Sequence, residues 1–352
     1  MIDRRTFVVS GAAFGAAGAA WAGPSANSKS RAIDTINLPA DFNGVLAYGK
    51  RGEVHHLRCA GFADIEARKP ITAKTQFKWG SASKWLTSIA VLRLAEQRRL
   101  DLDTPIATYL SEFRRETGSR VLVRHLLSNM SGIPDLLTQQ LKNEPELRAS
   151  TATPAAITAR FGGGDLAFVP GTGWDYAALN WVIIAALLER VTGEPLPRLV
   201  ERLVLRPLRM SSAGFAQVDE PAMPQLAAAY SSIAPPIRKL SPVPPFAAAS
   251  GNVAGTVQDA MRAAHGAFHG PLLHPASVRA LTTVRWSAEE YALGGRVHSL
   301  DDSLWAWETG KIGGYRAHIA HRLGRSETIV VFNTTDLAQS TISDWVEAIA
   351  RA

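Results

Sequence analysis

Phe77-Lys78-Trp79-Gly80-Ser81-Ala82-Ser83-Lys84 is the stretch that decides how this chain is interpreted, because a strand-like segment here turns into a long apolar helix without glycine or proline. Residues three apart on a helix share a face, so Lys84 is expected beside Ser81. A lysine amine that lacks its proton can activate a serine hydroxyl as a nucleophile. Alone, a serine and a lysine three apart are a weak signal, since the pair also fits an ordinary exposed serine at a helix start.

Three segments downstream strengthen this interpretation by their order. Residues 123–134 read VRHLLSNMSGIP, residues 170–181 read PGTGWDYAALNW, and residues 308–315 read ETGKIGGY. Together with residues 77–84 they resemble the serine β-lactamase and penicillin-binding-protein superfamily. The similar branch holds class C β-lactamases, D-alanyl-D-alanine carboxypeptidases, D-aminopeptidases and related esterases, and the resemblance spans roughly residues 40 to 335.

The resemblance implies roles for particular residues. Ser81 would attack a carbonyl to form an acyl-enzyme, while Lys84 and Tyr176 would move protons. The backbone N–H groups of Ser81 and Lys311 would face the developing oxyanion. The third motif, Glu308-Thr309-Gly310, and Lys311 after it would line the substrate site. For Tyr176 the alternative is a packed aromatic beside Trp174 and Trp181.

Two positions depart from the pattern of that branch. An asparagine is common two residues after the tyrosine, whereas this chain has Ala178. The third motif normally begins with lysine or histidine, a cation facing the substrate carboxylate, whereas this chain has Glu308. Sliding the motif to Lys311-Ile312-Gly313 would restore the cation, but it would break the match at Gly314-Tyr315. The Glu308 register is preferred, and it predicts that anionic substrates are disfavoured.

The order of elements predicts an α/β (α+β) fold. Residues 43–48 with 53–62, and residues 316–323 with 327–333, look like two hairpins of one antiparallel sheet. The helix after Ser81 and an apolar helical pattern over residues 338–351 would cover that sheet. A β-lactamase/transpeptidase-like fold is therefore expected, with residues 23–103 plus 246–352 as the sheet domain and residues 104–245 as a mostly helical domain that interrupts it.

The first 22 residues predict export. Arg4 and Arg5 precede an Ala/Gly-rich apolar run, and Ala20-Trp21-Ala22 offers small residues for cleavage, as in a twin-arginine signal peptide. An uncleaved anchor is the less favoured alternative, because the run is short and rich in glycine. The protein is thus expected to be periplasmic or secreted, with a net charge that falls from +7 to +6 after cleavage.

Other functional classes find little support. His265 and His269 have the spacing of a helical metal pair but lack an intervening glutamate, and His318 and His321 would face opposite sides of a strand, so no metal site is expected. Asp301-Asp302 reads as a surface turn. The single cysteine, Cys59, cannot form an internal disulfide, and the scattered arginines argue against nucleic-acid binding.

The sequence therefore predicts an exported serine hydrolase that needs no cofactor and acts through Ser81 on an ester, amide or peptide, with a small molecule or peptide as its partner. Cell-wall or envelope association and the oligomeric state are left open. The alternative is a catalytically impaired β-lactamase-like protein with a binding or regulatory function in the cell envelope, suggested by Ala178 and Glu308 together.

Overall fold

The computed structural model describes residues 28–216 and 223–352, so the predicted export signal over residues 1–22 lies outside the described residues. The strands, in chain order, are β1 Gly44–Lys50, β2 Glu53–Ala60, β3 Phe62–Asp64, β4 Lys69–Pro70, β5 Phe77–Lys78, β6 Gly214–Phe215, β7 Tyr230–Ile233, β8 Pro236–Arg238, β9 Val253–Gly255, β10 Arg296–Leu300, β11 Ser303–Ile312, β12 Tyr315–Arg322 and β13 Glu327–Asn333. The α-helices are α1 Ser28–Thr35, α2 Lys84–Glu96, α3 Arg115–Gly118, α4 Val123–Leu127, α5 Leu136–Asn143, α6 Pro154–Phe161, α7 Ala178–Thr192, α8 Leu196–Val200, α9 Ala248–Gly251, α10 Val257–Phe268, α11 Pro275–Thr282 and α12 Gln339–Arg351.

The central layer is a six-stranded antiparallel sheet in the order β10-β11-β12-β13-β1-β2. Both predicted hairpins are confirmed, β1 with β2 and β12 with β13. Arg51 and Gly52 join the first pair with φ angles of 50° and 81°, as a two-residue hairpin turn requires. Asp301 and Asp302 have φ angles of 45° and 58° and join β10 to β11, which confirms the predicted turn.

Helices cover both faces of this sheet. On one face α1 and α12 bury Ile33, Ile342 and Val346 against alternate strand residues such as Leu46 and Val331. On the other face the directly packed helix is α10, and α2 packs behind it. The sequence predicted that α2 itself would cover this face. The amphipathic α10, which starts with a Thr256–Asp259 capping box, takes that place, while α2 is buried almost all round.

The segment between β5 and β9 is mainly helical up to Leu205. Helix α7 forms its apolar centre and ends at Thr192. Gly193 follows with a φ of 74°, the left-handed conformation typical of the residue after a helix. Beyond Leu205 the chain forms the short strands β6, β7 and β8 rather than helices. Proline is frequent between residues 235 and 245, which disfavours a helix there. Strand β6 pairs with β9, so this part of the chain is joined to strands rather than to the helical segment.

The site lies where the helical segment meets β11. Strand β5 pairs with β9 and leads into a 3₁₀ turn at Gly80–Ser83, which continues directly as α2. No helix in the described ranges is both long and apolar enough to cross a membrane.

Candidate active site

Ser81 lies on a sharp turn that glycine makes feasible. Gly80 has a φ of 52°, and a Cβ at this residue would come within 2.9 Å of the Lys311 backbone nitrogen. Ser83 Oγ donates a hydrogen bond of 2.7 Å to the Gly80 carbonyl oxygen. Ser83 therefore supports the turn, and Ser81 is the serine that faces the cleft.

A lysine amine and a tyrosine hydroxyl meet at the Ser81 hydroxyl. Lys84 Nζ lies 2.8 Å from Ser81 Oγ, and Tyr176 OH lies 2.8 Å from the same oxygen. Both distances are within hydrogen-bond range, and both groups donate to Ser81 Oγ. Either group could take the Ser81 proton once it has lost its own. The structure thus brings together the three residues that the sequence proposed as catalytic, although they come from two segments 95 residues apart.

Lys84 is buried, and several contacts fix the position of its amine. Its side chain is 3% exposed, and Nζ donates a second hydrogen bond, 2.8 Å long, to the Ser250 carbonyl oxygen. Nζ also lies 4.9 Å from the centre of the Tyr176 ring and 5.4 Å from that of Trp181. These contacts fix the amine next to Ser81, and they show that Lys84 is not a solvated helix lysine.

Tyr176 stands on the loop before α7, and residues 123–134 hold both this loop and the first turn of α7. The Asp175 N–H donates to the Asn129 carbonyl oxygen over 2.9 Å. Asn180 Nδ2 donates to Asn129 Oδ1 over 3.2 Å, and Ser131 Oγ donates to Asn180 Oδ1 over 2.7 Å. All three residues are buried. Asn180 is thus buried away from the cleft, and it does not replace the amide missing at Ala178.

Strand β11 runs along the other side of Ser81. A Cβ at Gly310 would lie 1.8 Å from the Trp79 carbonyl oxygen and 3.1 Å from the Ser81 backbone nitrogen. Gly313 instead lies at the β11–β12 turn, beside Ser241. The structure therefore places the glycine of the Glu308-Thr309-Gly310 register against the nucleophile, and not that of the shifted register.

Lys311 follows in the strand, is exposed and lines the cleft. Its close approach to Gly80 agrees with the predicted pair of backbone donors at Ser81 and Lys311, whose role as an oxyanion hole stays a prediction.

Glu308 and Thr309 do not line the cleft. Glu308 is 1% exposed, and its Oε1 lies 3.5 Å from Arg296 Nη1 on β10, while Oε2 has no hydrogen-bond partner among the described residues. Burial raises the pKa of the Glu308 carboxyl to about 7, although Arg296 and Lys84 both lower it. The sequence predicted that Glu308 would face the substrate as a negative charge. In the structure Glu308 is buried and its carboxylate faces Arg296 instead.

Arg296 links Glu308 to the tyrosines. Its guanidinium lies 5.4 Å from the centre of the buried Tyr291 ring, and that ring lies edge-on to Tyr176 with the centres 6.2 Å apart. Burial raises the pKa of the Tyr291 hydroxyl well above its ordinary value, and the nearby Tyr176 and Glu308 add to this effect. A cation is thus present near the third motif, but it comes from the neighbouring strand.

Sequence reasoning missed Ser250, Tyr291 and Arg296. Ser250 contributes only a backbone carbonyl, which any residue type could supply. Arg296 pairs with Trp307 in the β10–β11 register and so lies beside Glu308. A buried Glu308 requires a nearby cation, so an arginine on an adjacent strand could have been suspected. The sequence does not show which one, because the register of β10 on β11 cannot be predicted from it.

The histidines of the two spaced pairs lie on different elements. His318 packs against Trp307, whereas His321 Nε2 lies 2.9 Å from Nδ1 of His269, the residue that follows α10, so His318 and His321 face opposite sides of the strand. Across residues 28–216 and 223–352, no group of three or more histidine, cysteine, aspartate or glutamate side chains is placed to hold a metal ion.

The family model for Beta-lactamase matches residues 37–351, which is nearly all of the described chain. The chain belongs to the Beta-lactamase family. Esterase EstB of Burkholderia gladioli is 34% identical over 186 residues, which are 50% of this chain and 47% of the esterase. The chain therefore spans less than half the length of this curated relative.

Two solved structures share the fold. A penicillin-binding protein from Bacillus halodurans aligns with a TM-score of 0.78 and 21% identity, covering 92% of this chain and 100% of its own. The D-amino acid amidase of Ochrobactrum anthropi SV3 aligns with a TM-score of 0.78 and 19% identity, over 92% of this chain and 98% of its own. The predicted α/β (α+β), β-lactamase/transpeptidase-like fold is confirmed.

Proposed function

We propose that this member of the Beta-lactamase family is an exported serine hydrolase that cleaves an ester or amide through an acyl-enzyme on Ser81. The observation that carries the proposal is that Ser81 Oγ lies 2.8 Å from both Lys84 Nζ and Tyr176 OH. A nucleophile within hydrogen-bond reach of a base, which other groups orient in turn, is the arrangement of covalent catalysis. The similarity to an esterase and the shared fold with an amidase support the same reaction class.

The reaction follows from the geometry in two halves. Ser81 Oγ bonds to the substrate carbonyl carbon while its proton passes to the Lys84 and Tyr176 pair, and backbone N–H groups of Ser81 and Lys311 stabilise the oxyanion. The bond from the carbonyl carbon to the alcohol or amine then breaks, and the leaving group takes that proton. A water molecule next attacks the acyl group, releases the acid and restores the Ser81 hydroxyl.

Labelling with a fluorophosphonate probe tests this proposal. Wild type is expected to react once per chain, and Ser81→Ala is expected not to react. Ser83→Ala is the matched control, because this serine lies in the same turn but bonds to the Gly80 carbonyl, so it should still be labelled. Equal labelling of wild type and Ser81→Ala would overturn the assignment of the nucleophile.

Turnover separates an enzyme from the alternative of an impaired binding protein. Intact-protein mass spectrometry after incubation with p-nitrophenyl esters, D-amino-acid amides and penicillins would show which acyl groups bind to Ser81 and whether they leave. An acyl group that stays on Ser81 with every substrate would favour the binding or regulatory alternative.

A further inference from the structure

A second cavity, of about 320 Å³, lies at one end of the six-stranded sheet, beside α1 and α12. The residues that line it are all different from those that line the cleft at Ser81. Three of its polar side chains are almost fully buried, namely Tyr48 at 0%, Glu327 at 5% and Lys29 at 7% exposure. They stand on β1, β13 and α1, so regular elements and not loops fix their positions.

The only buried carboxylate among the described residues that line this cavity is shared by two cations. Glu327 Oε1 lies 3.1 Å from Lys50 Nζ and accepts a hydrogen bond from Tyr48 OH over 3.2 Å, and Oε2 lies 3.3 Å from Arg322 Nη1. Burial raises the pKa of the Glu327 carboxyl, but these partners lower it below its ordinary value overall. Glu327 is therefore ionised at neutral pH, and its single charge balances only one of its two cations.

Lys29 brings a third cation close to the same carboxylate. Its Nζ donates to two carbonyl oxygens at the end of α12, over 2.7 and 3.3 Å, which leaves one of its three N–H bonds for another acceptor. Burial lowers the pKa of the Lys29 amine, Glu327 raises it, and Arg322, Lys50 and Arg325 each lower it. The amine thus lies among like charges whose repulsion a bound anion would offset.

Arg325 adds a fourth cation at the mouth of the cavity. It lies in the β12–β13 turn, it is exposed, and it forms no ion pair with another residue in the described ranges. Its guanidinium can therefore turn towards a ligand without breaking a salt bridge. Four cations face the single carboxylate of Glu327, which is an excess of three positive charges.

The charged groups at the rim reduce this excess only partly. Arg351 pairs with Asp301, so these two cancel, and Glu347, its second partner, does not line the cavity. A carboxylate on Ala352 would offset one positive charge and leave an excess of two. Residues 23–27, which precede this part of the chain, read GPSAN and contain no acid that could supply the remaining negative charge.

We propose that this cavity is an anion site that binds the dianionic phosphate group of inorganic phosphate or of a phosphate monoester. Such a group carries close to two negative charges and at least three acceptor oxygens, which matches the excess charge and the N–H groups left on Lys29 and Arg325. Guanidinium groups bind phosphate through two parallel hydrogen bonds, which suits Arg325. The site goes beyond the proposed hydrolase function and does not depend on it.

Isothermal titration calorimetry of the full chain with sodium phosphate tests the proposal, at about pH 8, where phosphate is a dianion. With ionic strength held constant by sodium chloride, wild type should bind one phosphate per chain. Arg325→Gln should weaken binding at least about tenfold, because it removes charge-assisted hydrogen bonds. Arg325→Lys keeps the charge and should lose less affinity than Arg325→Gln.

Arg279→Gln is the matched control, because Arg279 is an exposed arginine on α11 outside the cavity and its loss changes the net charge equally. It should keep the wild-type affinity. Lys29→Met removes the buried amine and should also weaken binding at least about tenfold. If that variant fails to fold in thermal unfolding, the exposed Arg325 still decides the test. Hydrolysis of p-nitrophenyl butyrate should be the same in wild type and Arg325→Gln, since the two sites share no residue.

Two further probes identify the source of the phosphate group. Competition by glycerol 1-phosphate would support a soluble monoester, and its absence would support the inorganic ion. Sedimentation with phosphatidylcholine vesicles that contain phosphatidic acid, lost in Arg325→Gln, would support a lipid-borne monoester. Binding of none of the three probes would overturn the proposal, and so would equal weakening by Arg325→Gln and Arg279→Gln. Labelling of Ser81 is a separate readout, so either proposal can fail while the other stands.

Discussion

At the scale of single residues, the three site side chains differ in their contacts and in their exposure. Ser81 has two partners, Lys84 has three neighbours that hold it in place, and Tyr176 is the most exposed of the three. This arrangement distinguishes Lys84 and Tyr176, to which we assign proton transfer, from the buried Asn129, Ser131 and Asn180, which bond to one another beside the site.

Removing either proton-transfer group should slow acylation with little loss of stability. Tyr176→Phe and Lys84→Met keep most of the packing volume and are each expected to lower kcat/KM for p-nitrophenyl butyrate by about 10²–10⁴. Steady-state kinetics and thermal unfolding measure the two effects. Tyr109→Phe is the matched control, since it deletes a hydroxyl that only accepts a hydrogen bond from the Asp101 N–H. Near-full activity of Tyr176→Phe would mean that Tyr176 is only a packed aromatic.

The buried Glu308 predicts a specific pH dependence of stability. Its pKa in the folded protein is about 7, above the ordinary value of 4.5, so the folded state holds this proton more tightly than the unfolded state. The contribution of Glu308 to the free energy of unfolding therefore falls as pH rises from about 4.5 to about 7. Relative to Glu308→Gln, wild type should lose about 3 kcal/mol over that range.

Urea unfolding of both proteins at several pH values checks this prediction, because other titrating groups cancel in the difference. A difference that does not change with pH would show that folding does not shift the pKa of Glu308. Glutamine is the suitable replacement, because a lysine at this position would set a second cation against Arg296 in the core. The effect of Glu308 on substrate charge stays a prediction, and the same variant tests it through the ratio of carboxylate-bearing to neutral substrates.

At the scale of elements, the approach of β11 to the nucleophile turn brings the candidate oxyanion donors together. The strand reaches the Trp79–Ser81 backbone only because residue 310 has no side chain. Local propensity does not explain this glycine, since glycine weakens a strand interior. The close backbone contact does explain it.

Gly310→Ala should separate β11 from the nucleophile turn. The new Cβ would overlap the Trp79 carbonyl oxygen, at 1.8 Å, so the strand must shift. We expect a loss of at least about 10² in kcat/KM through the oxyanion site, and a loss of about 1–3 kcal/mol in stability. Gly324→Ala is the matched control, because a methyl group on this residue, in the β12–β13 turn, would have no other atom within 4 Å. Wild-type activity of Gly310→Ala would show that the strand does not have to approach so closely.

At the scale of the whole molecule, export is the part of the proposal that rests on sequence alone. Arg4 and Arg5 with the Ala20-Trp21-Ala22 site predict a mature chain that starts near Gly23 outside the cytoplasm. Mass analysis of protein from the periplasm or medium should find that N-terminus. Replacing both arginines with lysine should keep the precursor in the cytoplasm, while Arg31→Lys, which lies beyond the signal, should have no effect. A cytoplasmic pool with an intact residue 1 in wild type would contradict the prediction.

The sequence by itself determined the local features of this protein. The hairpins, the helix that follows Ser81, the C-terminal helix and the surface turn at Asp301-Asp302 could all be predicted, because periodicity and turn residues are local signals. The grouping of Ser81, Lys84 and Tyr176 was also predicted, but only through the resemblance of four ordered motifs, since spacing alone links Ser81 to Lys84 and not to Tyr176.

Only the tertiary structure decided which distant groups surround those motifs. The Ser250 carbonyl that holds Lys84 lies 166 residues away in sequence, and Arg296 meets Glu308 through the register of β10 on β11. The sequence likewise did not show that α10, and not α2, packs directly on the sheet. The physical reason is common to all three: strand register and long-range packing depend on the shape and burial of the complete core, and no local stretch of sequence carries that information.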